Sequence, residues 1–180
     1  MKGTGWRQPI RDRISHEERE TVMHATKNNL PLEARTELAR LLNQRLADLI
    51  DLHSQAKQAH WNVKGPQFIA LHQLFDGVAE TVDEFVDTVA ERVVALGGTA
   101  AGTIDVVAAQ SSLPRYSSEL VGGRGHVDAL STSIAAAGER IRAAIDQAEQ
   151  LGDAGTADLF TGISRELDKQ LWFVESHLAG

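Results

Sequence analysis

Cysteine is absent from the 180 residues, which excludes disulfides and thiolate metal ligands and leaves a reducing cytosol compatible with the chain. Aromatic residues make up only 5% of the sequence and there are four prolines. Set beside abundant Ala and Leu, that scarcity is the composition of a helical bundle. No apolar run approaches the ~20 residues of a membrane helix. The N terminus, MKGTGWRQPIRDRIS, lacks the long apolar core of a secretory signal. Positive charge is also in deficit. The formal net charge is −7, so the body should repel nucleic acid unless a local basic segment intervenes. The length suits one domain with a substantial core, and no internal repeat is visible.

What the chain does have is concentrated between His60 and Gly98. Residues 68–96 read as one helix at about 100° per residue. Leu71, Phe75, Val78, Val82, Phe85, Val86, Val89, Val93 and Leu96 then fall within an arc of roughly 100°, a core-facing stripe. His72, Asp76, Glu80, Asp83, Glu84, Asp87 and Glu91 occupy a separate arc. No Lys stands among these acids to form i,i+4 ion pairs before Arg92. His72 with Asp76, and Asp87 with Glu91, are i,i+4 pairs that each aim two side chains at one spot.

Asp76 and Asp87 share a face but lie about 16 Å apart along the axis, so one metal cannot join both pairs within one helix. Two copies packed antiparallel about a two-fold axis between residues 76 and 87 bring His72 and Asp76 of one chain to Asp87 and Glu91 of the other. A two-fold interface is isologous, so such a dimer carries two identical shared metal sites.

The run AHWNVKGPQFIALHQLFDG, followed by Asp87 and Glu91 in DTVAERVVALGG, resembles the Dps family (DNA-binding proteins from starved cells, the mini-ferritins). The family pattern is His-Trp, a Gly, a Phe, a second His twelve residues after the first, an acid four later, and an Asp-x-x-x-Glu pair on the same helix. Every element is present, and RELDKQLWFVES near the C terminus is similar too. The resemblance implies an all-α ferritin-like four-helix bundle and intersubunit ferroxidase sites in a shell of twelve subunits. Carried over, the metal ligands are His60, His72 and Asp76 of one subunit and Asp87 and Glu91 of its partner, with Trp61 adjacent. Fe(II) is the expected substrate and hydrogen peroxide the expected oxidant, and the ferric product would be stored as mineral inside the shell. Imidazole and carboxylate without sulfur suit iron, with zinc or manganese as substitutes. The two Glu-x-x-His pairs of intrachain di-iron bundles are missing, which favours the shared site. The resemblance further implies protection of DNA under oxidative stress and a cytoplasmic, nucleoid-associated location. The alternative is a structural DNA-condensing nucleoid protein whose metal site only stabilises the shell.

Taken in order, residues 1–14 read as a flexible arm ahead of a single domain spanning 15–180. Lys2, Arg7, Arg11 and Arg13 against Asp12 alone give the arm a net +3, suited to phosphate contact; the other reading is a tail with no role. Ser15 and Glu18 fit a capping box for a short helix to about Ala25. Helices are expected over 32–62, 68–96, 126–150 and 156–178, with Pro31 in the first turn of the first. A long crossover over 98–124 carries a short helix at TIDVVAAQ. His53 lies on nearly the same face as His60 and reads as a surface, interface or supporting histidine. The family's three-fold pores make Asp153 and Asp158 pore candidates by position; as plain helix-start acids they are equally well explained. Glu80, Asp83 and Glu84 are left to the interface or the cavity wall.

A mobility shift of duplex DNA across a salt series, using the full chain and one lacking residues 1–14, tests the arm. Truncation should abolish binding together with its salt dependence. Equal binding by both forms removes the arm from the account.

Overall fold

A computed structural model describes residues 22–178. The arm, with Lys2, Arg7, Arg11 and Arg13, lies outside the described residues, as does most of the short helix expected near Ser15. Residues 22–25 are non-helical. They belong to an extended strap in which the His24 amide donates to the Gly97 carbonyl at 2.6 Å. The Arg35 guanidinium donates to the carbonyls of Leu30 and Leu96 below it. Over residues 22–25 contacts with the C-terminal end of α2 take the place of the expected helix.

Five helices follow: α1 Leu32–Asn62, α2 Phe68–Ala95, α3 Ile104–Gln110, α4 Gly123–Gln150 and α5 Ala154–Glu175. Pro31 sits one place outside α1, as its N-cap. There is no strand among the described residues, only an isolated bridge between Lys64 and Gly122. α1 pairs with α2, α4 with α5, and the hairpins meet through α1–α4 and α2–α5. The architecture is an all-α, ferritin-like four-helix bundle. Leu38, Leu42, Leu46, Leu49 and Leu52 of α1 are sealed against Leu71 and Phe75 of α2, Leu130, Ile134 and Ile141 of α4, and Phe160 of α5. Each fully buried Leu, Ile or Phe is worth about 1.5–3 kcal/mol relative to exposure, so this inner stripe dominates the stability. Among the described residues, no helix is long and apolar enough to cross a membrane.

Helices α2 and α4 stop in the same way. Gly97 (φ +89°) and Gly152 (φ +78°) take the left-handed conformation. Gly97 and Gly98 donate to Val94 and Val93, and Gly152 and Asp153 donate to Glu149 and Ala148. This is the Schellman closure, which a side chain at the left-handed position would strain. Gly98 also has no room for one, since a Cβ there would lie 2.8 Å from that of Ala39.

The crossover runs back along α1 on a ladder of polar contacts about one turn apart. Asn43 donates to the Thr99 carbonyl and Gln44 to that of Gln110. Asp48 accepts from the Ser112 amide and hydroxyl, Asp51 from Ser111, and Gln55 donates to Pro114. The ladder carries the chain from the α2 end of the bundle to the other, where α4 begins beside the α1–α2 turn.

Asp153, a pore candidate by position, is held inside its own chain by Arg92 and the start of α5. It is 5% exposed. Its carboxylate takes both oxygens to Arg92 of α2, at 2.8 and 2.7 Å, and caps α5 by accepting from the Gly155 and Thr156 amides. Burial works to raise its pKa. Hydrogen bonds from Thr156 and Arg92 and the Arg92 charge overcome that and hold it below the ordinary carboxylate range. A depressed pKa contributes stability that is present above about pH 4 and lost as pH falls through the folded value. Asp153→Ala loses the cap and leaves Arg92 unpaired, so about 2–4 kcal/mol should go. At fixed protein concentration the apparent Tm should drop by roughly 5–10 °C. The variant should also lose the parent's destabilisation between pH 4 and 2, read by thermal melts across pH.

Candidate metal centre

The ends of α1 and α2 place His60 and His72 in ring-to-ring contact, centroids 3.8 Å apart and planes 21° from parallel. Each ring is fixed by the other's helix. His60 Nδ1 donates to the His72 carbonyl at 2.7 Å, and His72 Nδ1 donates to the His60 carbonyl at 2.9 Å. With both Nδ1 atoms protonated, both Nε2 atoms are left as lone-pair donors. A backbone carbonyl holding the far nitrogen is the usual support for a metal-ligating histidine. Phe68 backs the His72 ring, its centroid 5.1 Å away. Trp61, next to His60, is 66% exposed and so contributes little to the packing of its own chain.

Asp76 lies one turn beyond His72, and its Oδ1 is 3.8 Å from His60 Nδ1. It is not the unrelieved acid that the α2 sequence implies. Lys57, one turn before His60 on α1, reaches across and donates to Asp76 Oδ1 at 2.6 Å. That hydrogen bond, over a small opposing desolvation and with help from His60, Lys57 and His72 charge, holds the Asp76 carboxyl below its usual range. Lys57 went unnoticed in the sequence because its partner is nineteen residues away on another helix.

Asp87 and Glu91 stand exposed on the same helix, over three turns further on. Neither makes a hydrogen bond or ion pair among the described residues. Among those residues, no three His, Asp or Glu side chains converge to hold one metal ion. The chain thus brings His60 and His72 together, holds Asp76 one turn along α2 against Lys57, and displays Asp87 and Glu91 apart from them. His53 is half-buried on α1 and joins neither group. Asp158 is exposed on the first turn of α5, at the edge of a groove that Glu84, Phe85 and Glu166 also line.

Comparison with known proteins identifies the family. Residues 39–180 match the model of the ferritin-like domain. The DNA protection during starvation protein of Agrobacterium fabrum is 47% identical over 155 residues, 86% of this chain and 96% of its own. The chain belongs to the Dps family. Among solved Dps structures, DpsA14 from Streptomyces coelicolor superposes with a TM-score of 0.84 at 37% identity, covering 89% of this chain and 95% of its own. Dps from Microbacterium arborescens in its high iron form gives 0.77 at 31% identity, over 88% and 100% of the two chains.

The Lys57–Asp76 pair sets a cation in competition with any metal. Lys57→Met should tighten binding of Co(II), a spectroscopic stand-in for Fe(II), by roughly fivefold, the scale of one partly exposed ion pair. Titration calorimetry and the cobalt d–d bands read this directly. Unchanged or weaker binding would show that Lys57 does not guard the ligand.

Proposed function

We propose that this Dps-family protein is a ferroxidase that oxidises and stores iron, and that its sites form only between two-fold-related subunits. The observation that carries the reading is the split donor set. Two histidines leave Nε2 free, Asp76 lies one turn along α2 with its Oδ1 3.8 Å from His60 Nδ1, and the acids needed to complete the coordination stand exposed about 16 Å along the same helix. An antiparallel partner supplies them twice over. The high iron form of a structural relative supports iron as the substrate.

In this reading His60 and His72 bind Fe(II) as borderline neutral donors. Asp76 and the partner's Asp87 and Glu91 supply negative charge. Carboxylates favour Fe(III) over Fe(II) electrostatically, which eases loss of the electron. Two Fe(II) and one hydrogen peroxide, with two protons, give two Fe(III) and two waters, so no hydroxyl radical is released. The ferric product moves into the shell, a dodecamer in the family pattern. Glu80, Asp83, Glu84 and Asp158 are the acids left to guide entry or nucleate mineral; Asp153 is withdrawn from that set by its pair with Arg92. The basic arm adds DNA contact, multiplied by the number of subunits. Zinc or manganese would fit the same donors as substitutes. The Lys57–Asp76 pair favours one second reading, a shell whose site is at rest without metal and whose role is DNA compaction.

The test is complementation. Fe(II) is mixed anaerobically with protein, peroxide is added, and ferric absorbance is followed. Asp87→Ala/Glu91→Ala and His60→Ala/His72→Ala should each assemble and lose rapid oxidation. After unfolding and co-refolding the two together, about a quarter of the sites should return, since half the pairs are mixed and each mixed pair holds one intact site. No recovery, with assembly intact, would defeat the shared site. Equal slow oxidation in parent and variants would leave the compaction reading in front.

A further inference from the structure

Against the α1–α2 turn, where Lys64 bridges Gly122, lies another histidine that the iron chemistry above does not use. His126, on the first turn of α4, is 1% exposed. The Tyr116 hydroxyl and His126 Nδ1 lie at hydrogen-bond distance, 2.7 Å, with the rings 20° from parallel, and the protonated phenol is assigned as the donor. Since Nδ1 accepts, the ring proton is on Nε2. Nε2 is buried and closes no hydrogen bond, although the backbones of Leu120 and Asn62 lie beside the ring. Burial holds the Tyr116 phenol well above its ordinary range, so it carries its proton. Burial likewise lowers His126, against the opposing pull of those two backbone groups, so it is a neutral base.

The pair is also close to the metal centre. Asn62 is two residues beyond His60. The bridge from Lys64 to Gly122 ties the start of α4 to the same turn. Leu71, next to His72, packs so tightly on Gly123 that a Cβ there would lie 2.6 Å from it. Trp61 is nearer still in sequence, but it is largely exposed in the chain and no base receives its indole proton. A phenol gives up an electron readily only when its proton leaves with it, and a proton acceptor at 2.6–3.2 Å meets that need.

We propose that Tyr116 and His126 form a proton-coupled electron donor that supplies the second electron to peroxide when a site holds only one Fe(II). Peroxide needs two electrons to become two waters. One comes from Fe(II), which becomes Fe(III), and one from the Tyr116 phenol. The phenol O–H bond breaks, its proton crosses to His126 Nδ1, and a neutral tyrosyl radical remains beside an imidazolium. Two further protons come from solvent. The backbone groups of Asn62 and Leu120 then face the charged ring, which gives the unpartnered Nε2–H a function in the oxidised pair. Tyr116 acts from outside the site and does not touch the iron.

This inference rests on the ferroxidase reading, and the experiment separates the two. The assembled full-length protein is loaded with one Fe(II) per site, treated with one equivalent of peroxide, and frozen for electron paramagnetic resonance while a parallel sample is read for ferric absorbance. Tyr116 is the one tyrosine in the chain, so a tyrosyl signal has a single source. The expected result is a tyrosyl spectrum that narrows when the protein is grown on ring-deuterated tyrosine. It should fall at least tenfold in Tyr116→Phe, whose assembly and initial ferric formation at two Fe(II) per site stay like the parent. It should also fall at least tenfold when two Fe(II) per site are supplied. Ferric formation with no radical, or with a tryptophanyl signal alone, overturns the proposal and leaves the ferroxidase standing. No ferric formation in any sample overturns both.

Discussion

Everything at the candidate metal centre depends on one reciprocal arrangement, in which His60 and His72 each donate Nδ1–H to the other's backbone carbonyl. The His60 carbonyl, in the last turn of α1, has no partner within its own helix, because the last four carbonyls of a helix are left free; the His72 carbonyl, inside α2, takes the His60 ring as an additional donor. Here side chains cross between the helices and tie the hairpin shut near its turn. The same two bonds settle which nitrogen of each ring is free. A structural lock and a chemical preparation are thus one set of contacts, and removing either ring would disturb both.

Around that lock, charge is distributed by helix packing more than by sequence neighbourhood. Lys57 relieves Asp76 from another helix, and Arg92 relieves Asp153 from 61 residues away. What remains unrelieved is informative by contrast. Asp87 and Glu91 stay in the open on a chain with net negative charge, a costly arrangement unless a cation or a second subunit meets them. The polar ladder along α1 shows the opposite strategy. Asp48, Asp51 and Gln55 are each satisfied by the crossover, which lets a long irregular segment lie on a helix without stranding buried polar groups.

Much of the fold was legible beforehand because helical periodicity and helix stops are local signals. The expected 32–62 matches α1 at both ends, and TIDVVAAQ differs from α3 by one residue. Glycine pairs at residues 97–98 and the LGDAG turn marked the ends that the left-handed closures require. The expected start of the fourth helix was two residues late, because Asp153 caps α5 by its own side chain and the helix begins at once at Ala154. Residues 22–25, expected as the end of a short helix, belong to a non-helical strap for a related reason. A capping pattern is a statement about neighbours in sequence, whereas His24 and Arg35 take partners at the end of α2.

The sequence by itself determined that the two candidate ligand pairs stand apart, since eleven residues of helix between Asp76 and Asp87 is a distance that no packing can shorten. It also determined the sign of the body and the absence of sulfur chemistry. Only the tertiary structure decided which histidine nitrogens are free, that Lys57 sits on Asp76, that Asp153 belongs to Arg92, and that Tyr116 meets a buried His126. Each of these is a contact across helices. Hydrogen bonds and ion pairs form over about 3 Å, and spacing along one helix carries no information about a partner that the bundle brings in from another.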